Sequence, residues 1–161
     1  MRSNTASFDV INETQTEAIG RSLARCLPES FVLCFQGNLG AGKTTLIRAI
    51  IRELGVTGPI KSPTFSVVES YCASRVIHHF DLYRLVDPEE LEMIGFRDYF
   101  SPNVVCFIEW PERAASLLSS HDMTIELIST EATRRQLNIR VNTEVGQQVL
   151  TCLLREYSES C

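Results

Sequence analysis

The sequence predicts an α/β fold in three layers, with a mixed sheet that includes an antiparallel hairpin, and three observations carry that reading. A glycine-rich octapeptide at 37–44 lies between a short apolar run and a stretch of helical spacing. Two runs, 31–35 and 104–108, are apolar throughout and have the length of strands buried on both faces. A third region holds two strand-like segments, 65–71 and 76–80, separated only by 72–75, which is hairpin spacing. The 161 residues suit a single domain over 1–161, with 1–11 and 156–161 read as tails. A composition of 44% hydrophobic and 22% charged residues is that of a globular chain.

In chain order, Asn12 and Gln15 form a capping-box pattern, and Ala18, Ile19, Leu23, Cys26 and Leu27 recur at helical spacing, giving a helix over 13–27 that Pro28 stops. The strand at 31–35 leads into Gly37-Asn38-Leu39-Gly40-Ala41-Gly42-Lys43-Thr44, which fits G-x-x-x-x-G-K-[ST] at every fixed position. Strand, glycine loop and the helix at 45–54 make a P-loop NTPase-type core. Residues 55–63 are dense in helix and strand breakers. They end in Ser62-Pro63-Thr64, where phosphate-loop enzymes often keep a segment that senses the γ-phosphate; the same residues also read as a rigid lead into the hairpin. After the hairpin, Asp87 and Pro88 read as N-cap and first position of a short helix ending at Ile94-Gly95. The strand at 104–108 delivers Glu109, and a helix is expected from Pro111 through Leu118. Ile125 and Leu127, then Leu137, Ile139 and Val141, alternate with polar residues as two half-buried strands, and 145–154 closes the chain as a helix.

The octapeptide points to nucleoside triphosphate chemistry. Its glycines let backbone N–H groups turn inward around phosphates, and the following helix offers its N-terminal amides and positive dipole end to the same anions. Gly37, Asn38, Leu39, Gly40, Ala41, Gly42, Lys43, Thr44 and Thr45 are therefore the expected triphosphate contacts, with Lys43 on the β- and γ-phosphates and the Thr44 hydroxyl on Mg2+. Hydrolysis also needs carboxylates. Glu109 at the end of a buried strand has the Walker-B placement, with glutamate in place of the commoner aspartate, which suits a water-bridged metal contact. Asp81 is a second candidate for metal-bound or attacking water, and it reads equally as a turn aspartate capping the segment from Leu82. His79 reads as a structural histidine. Trp110 belongs in a core by composition, yet beside Glu109 it is also placed for nucleotide or partner contact.

Other features narrow the class. A net charge of −5, with Arg134-Arg135 as the only adjacent basic pair, is not the footprint of a chain that grips a nucleic-acid backbone by itself. No run approaches the roughly 18 apolar residues of a membrane span, and the first residues lack an apolar leader, so a cytoplasmic protein is expected. Six cysteines, at 26, 34, 72, 106, 152 and 161, include no C-x-x-C pair and are expected to be reduced thiols. A GTPase is disfavoured because D-x-x-G and N-K-x-D are missing. A small-molecule kinase using the same loop is the alternative, weakened by the scatter of Arg84, Arg97 and Arg113; a nucleotide-sensing module without catalysis is a further one.

Four segments, Gly37 to Thr45 as above, Ser62-Pro63-Thr64-Phe65, His79-Phe80-Asp81-Leu82-Tyr83-Arg84 and Ile108-Glu109-Trp110-Pro111-Glu112, in this order and at these spacings, resemble the TsaE (YjeE) family. These are small bacterial ATPases required for threonylcarbamoyladenosine modification of tRNA, and the resemblance spans 12–155. It implies that Lys43 binds phosphate, that Thr44 and Glu109 share Mg2+ and that Asp81 serves hydrolysis. It also implies a partner, the threonylcarbamoyl-transfer complex with TsaB and TsaD type subunits, which the ATPase resets between turnovers, with tRNA contacted only indirectly.

Overall fold

The structure is a computed structural model that describes residues 3–63, 66–118 and 120–160. The two uninterrupted apolar runs become neighbouring parallel strands at the centre of a mixed sheet: β2 (Phe31–Gln36) and β5 (Val104–Glu109), paired from Phe31↔Val105 to Phe35↔Glu109. Every residue of β5 is buried, as a strand covered on both faces must be. Around them lie β1 (Thr5–Val10), β3 (Val68–Cys72), β4 (Val76–Asp81), β6 (Met123–Ser129) and β7 (Arg135–Val141), in the order β1-β7-β6-β2-β5-β4-β3. β4, β5, β2 and β6 run parallel; β3 on β4, and β7 on β6 and β1, are antiparallel. The expected mixed sheet with a hairpin is thus observed.

Three helices cover one face: α1 (Glu13–Cys26), α2 (Lys43–Glu53) and α4 (Glu144–Ser160). Ile19, Leu23, Leu46, Ile47, Ile50 and Leu153 meet Leu33, Phe107, Ile125 and Ile139 of the sheet there. Each fully buried aliphatic side chain contributes about 1.5–3 kcal/mol relative to exposure. α1 and α2 approach so closely at Gly20 that a Cβ there would lie 2.9 Å from Ala49 Cβ. The opposite face carries α3 (Glu89–Met93) and two 3-10 turns, Phe96–Tyr99 and Pro111–Ala114, whose Leu91, Phe96 and Ala114 pack on Cys34, Phe80, Cys106 and Ile108. α1 begins as its capping pattern predicts. Asn12 Oδ1 accepts from Gln15 N–H at 2.9 Å, and Gln15 Oε1 accepts from Ile11 N–H at 2.9 Å.

Several expectations are corrected. Within the tail expected over 1–11, Thr5–Val10 is instead a strand paired with β7 from Thr5↔Arg140 to Val10↔Arg135, because Ala6, Phe8 and Val10 alternate inward. Nor do the described residues of 156–161 form a tail, since α4 runs to Ser160 and Tyr157 meets Phe8 edge-on at 5.4 Å, tying the two ends together. The helix expected from Pro111 to Leu118 is only the 3-10 turn to Ala114, where Leu117 and Leu118 amides both reach Ala114 O; a span this short does not sustain an α-helix on its own. α2 starts at Lys43, not 45, with Gly42 at its N-cap. Pro88 takes the N-cap position of α3, although Asp87 Oδ1 still accepts from Glu89 N–H at 3.0 Å. The first hairpin strand is described from Val68. Cysteines 26 and 152 are bonded rather than reduced: α1 and α4 pack side by side and bring their Cα atoms to 5.7 Å, within disulfide reach. Cys34, Cys72 and Cys106 are free thiols.

Candidate functional site

The loop between β2 and α2 owes its path to glycine at two points. Gly37 has φ 144°, and a Cβ there would lie 2.6 Å from Leu127 O, so only glycine lets the loop lie against β6. Gly42, left-handed at φ 104°, turns the chain into α2. The turn is closed by Ala41 N–H donating to Asn38 O at 3.1 Å. The first turn of α2 holds no acidic residue and no side-chain cap, so its amides and positive dipole end are left to whatever occupies the cleft in front.

Lys43 is 5% exposed. Its ammonium donates to the carbonyls of Gly37 and Asn38 and lies 4.3 Å above the Trp110 ring centroid. Burial pushes its pKa below the usual lysine value, while Glu109, Asp81 and Glu112 pull the other way. Trp110 takes a left-handed backbone at φ 59°, its N–H donating to Phe35 O at 3.3 Å, and its ring meets Tyr83 at 5.0 Å. It is half-buried against the loop rather than sunk in the core. A non-glycine residue in this conformation carries strain of about 1–3 kcal/mol, which tends to persist at functional sites.

The two carboxylates stand at the ends of adjacent parallel strands, paired in register as Asp81↔Glu109. Asp81 is the last residue of β4, not a residue beyond it. Its Oδ1 accepts from Tyr83 N–H at 3.1 Å, so it caps the following turn and lines the cleft as well. Burial, then Glu109, raises its pKa above the usual aspartate value. Glu109 is 2% exposed, and its Oε2 lies 2.7 Å from His79 Nε2. An ionised carboxylate only accepts, so Nε2 carries the proton of that bond. His79 is itself 2% exposed, and its Nδ1 has no hydrogen-bond partner.

These groups surround one cleft of about 830 Å³, a size that suits a small-molecule ligand. Asn38, Leu39, Gly40, Ala41, Gly42, Lys43, Thr44, Thr45, Asp81, Glu109 and Trp110 all line it, as do Ser62 and Pro63. Gly37 does not; it supports the loop from behind, facing Leu127. Thr45 also donates to Glu13 Oε1 at 3.1 Å, linking the loop helix to α1. Thr64, the expected sensor, lies outside the described residues. The role of His79 against Glu109 and the packing of Tyr83 on Trp110 escaped sequence reasoning; the only signal for them was their place within His79-Phe80-Asp81-Leu82-Tyr83-Arg84. Among the described residues no group of three or more His, Cys, Asp or Glu is disposed to hold a metal. Thr44 with one or two carboxylates suits Mg2+, which binds few protein ligands and keeps water and phosphate oxygens for the rest.

The family described as threonylcarbamoyl adenosine biosynthesis protein TsaE matches residues 10–137. The chain is 40% identical over 124 residues to the tRNA threonylcarbamoyladenosine biosynthesis protein TsaE of Haemophilus influenzae, covering 76% of this chain and 78% of that one. It is 38% identical over 124 residues to the protein of the same name from Synechocystis, covering 74% and 78%. Its fold is similar to the crystal structure of Bacillus subtilis YdiB, with a TM-score of 0.82 over 96% of this chain and 97% of that one, at 24% identity.

Proposed function

The chain belongs to the TsaE family, and on that premise we propose that it is a magnesium-dependent ATPase serving tRNA threonylcarbamoyladenosine biosynthesis. The observation that carries the reading is the convergence of Lys43, Thr44, Asp81 and Glu109 on one cleft in front of the α2 N-terminus. The names of the relatives fit this pathway and lend no support to a small-molecule kinase.

The loop amides and the α2 N-terminus bind the phosphates, and Lys43 exchanges the carbonyls of Gly37 and Asn38 for charged phosphate oxygens. Thr44 and Glu109 hold Mg2+, and His79 fixes the Glu109 carboxylate by taking one of its oxygens. Mg2+, when bound, neutralises charge on the transferring phosphoryl group. Asp81, whose raised pKa keeps it a useful proton acceptor, orients the attacking water. Trp110 and Tyr83 wall the cleft and respond to its occupant through Lys43. Nucleotide state then governs docking to the threonylcarbamoyl-transfer complex of TsaB and TsaD type subunits in the cytoplasm, with Ser62, Pro63 and Thr64 as the switch. This requires ATP and ADP forms to differ in partner affinity.

Phosphate release from MgATP, measured with and without that complex, tests the reading. Slow release alone and stimulation by the complex are expected. Asp81→Ala and Glu109→Ala should still bind ADP but release phosphate at a rate on the order of a hundredth of the wild type. A wild-type rate in either variant would remove that residue's role.

A further inference from the structure

Arg134 and Arg135 are adjacent in sequence but placed differently. Arg134 forms an exposed pair with Glu131, 3.5 Å apart. The Arg135 side chain reaches from the start of β7 beneath the glycine loop. Its Nε–H donates to Ala41 O at 3.0 Å and an Nη2–H to Gly40 O at 3.3 Å. On its other side Nη1 donates to Arg134 O at 2.9 Å, Glu131 O at 3.2 Å and Ala132 O at 3.3 Å. Among the described residues, the guanidinium therefore joins the loop to the β6–β7 turn through backbone carbonyls, Glu131 offering its carbonyl rather than its carboxylate.

The geometry points to Arg135 as a positioning residue that sets the loop's peptide planes for phosphate binding, an assignment that rests on the triphosphate reading of the site. A trans peptide directs C=O and N–H to opposite sides, and the peptides of this loop are trans. With the Ala41 carbonyl held on Arg135, the Gly42 N–H is turned away from the guanidinium, toward the cleft that Gly42 lines. The Gly40 carbonyl is held likewise, while the Ala41 N–H of that peptide is engaged by Asn38 O. Glycines on both sides of Ala41 leave these peptides free to flip, so something outside the loop must fix them. A planar fork with donors on two edges does so; a lysine ammonium, a point donor, cannot bridge both walls in the same way. The fixed positive charge behind the loop also favours an anion in front of it.

The test is nucleotide titration of the full chain with a fluorescent ADP and with a non-hydrolysable ATP analogue, alongside steady-state hydrolysis. Arg135→Ala is expected to weaken both nucleotides by the same factor, about tenfold or more, which is what one charge-assisted hydrogen bond is worth. Arg135→Lys should recover part of the loss, and in hydrolysis the effect should fall on KM more than on kcat, a split that general destabilisation would not produce. Wild-type ADP affinity in folded Arg135→Ala would overturn the assignment. If that variant does not fold, Arg135→Lys decides, with several-fold weakening supporting the assignment and wild-type affinity overturning it. Failure of the wild type to bind ADP would overturn the triphosphate reading, and this assignment with it.

Discussion

His79 and Glu109 form a hydrogen-bonded pair of buried polar side chains. Both are 2% exposed, and Glu109 Oε2 accepts from His79 Nε2 across 2.7 Å. Removing one member leaves the other's buried polar atom without its hydrogen bond, which costs about 1–3 kcal/mol and more where the group is charged. His79→Leu should therefore lower unfolding free energy by about 3 kcal/mol, whereas His79→Gln, which keeps an N–H donor, should lose clearly less; urea denaturation of both variants separates them, and equal losses would show that the hydrogen bond carries no weight. At this scale the sequence was informative where chemistry demands fixed residue types at fixed spacing. The loop from Gly37 to Thr44 and the acid at Glu109 are of that kind. It was uninformative about His79, because which carboxylate it meets depends on the register of β4 against β5, Asp81 opposite Glu109, between segments about 30 residues apart.

At the scale of elements, the β3–β4 hairpin delivers Asp81 to the site, and its own stability is linked to pH through His78. Ser70 and His78 face each other across the hairpin, with Ser70 Oγ 2.7 Å from His78 Nδ1 and the ring edge-on to Tyr99 at 4.7 Å. Burial lowers the His78 pKa below 6.5. The folded state thus binds this proton less readily than the unfolded chain, so the stabilising contribution is complete above 6.5 and is lost as pH falls through the lowered value. Thermal melts from about pH 7.5 to about pH 5 should show the wild type losing stability relative to His78→Gln. A constant difference across the range would contradict the linkage. The hairpin itself was legible, since two strand-like runs with a short connection have few other solutions. β1 was not: its alternation is brief and of mixed polarity, and its partner β7 lies at the far end of the chain. The truncation of the expected helix after Pro111 was equally hidden, because apolar spacing over so short a span does not distinguish a 3-10 turn from an α-helix.

The molecule as a whole is closed by contacts between its ends. β1 pairs with β7, Phe8 meets Tyr157, and Cys26 is bonded to Cys152 across 126 residues. A cross-link that closes so long a loop restricts the unfolded chain and is worth about 2–4 kcal/mol. Cys152→Ser is expected to lower the unfolding free energy of the oxidised protein, measured in guanidinium, by that amount without changing ADP affinity, since the bond lies between α1 and α4, away from the cleft; an unchanged unfolding free energy would show that the link does not stabilise the fold. Cysteine spacing could not predict the pair, because only the packing of α4 on α1 brings those residues together. Among the described residues no helix is long and apolar enough to cross a membrane. On the proposed reading, a triphosphate held by the Lys43 loop drives this chain's part in tRNA modification. The most direct measurement is the threonylcarbamoyladenosine content of tRNA, by nucleoside mass spectrometry, in bacteria depleted of their own TsaE family member and supplied with this chain. The wild type should restore the modification, and Lys43→Ala, folded and expressed to the same level, should leave it absent; full restoration by Lys43→Ala would contradict the account.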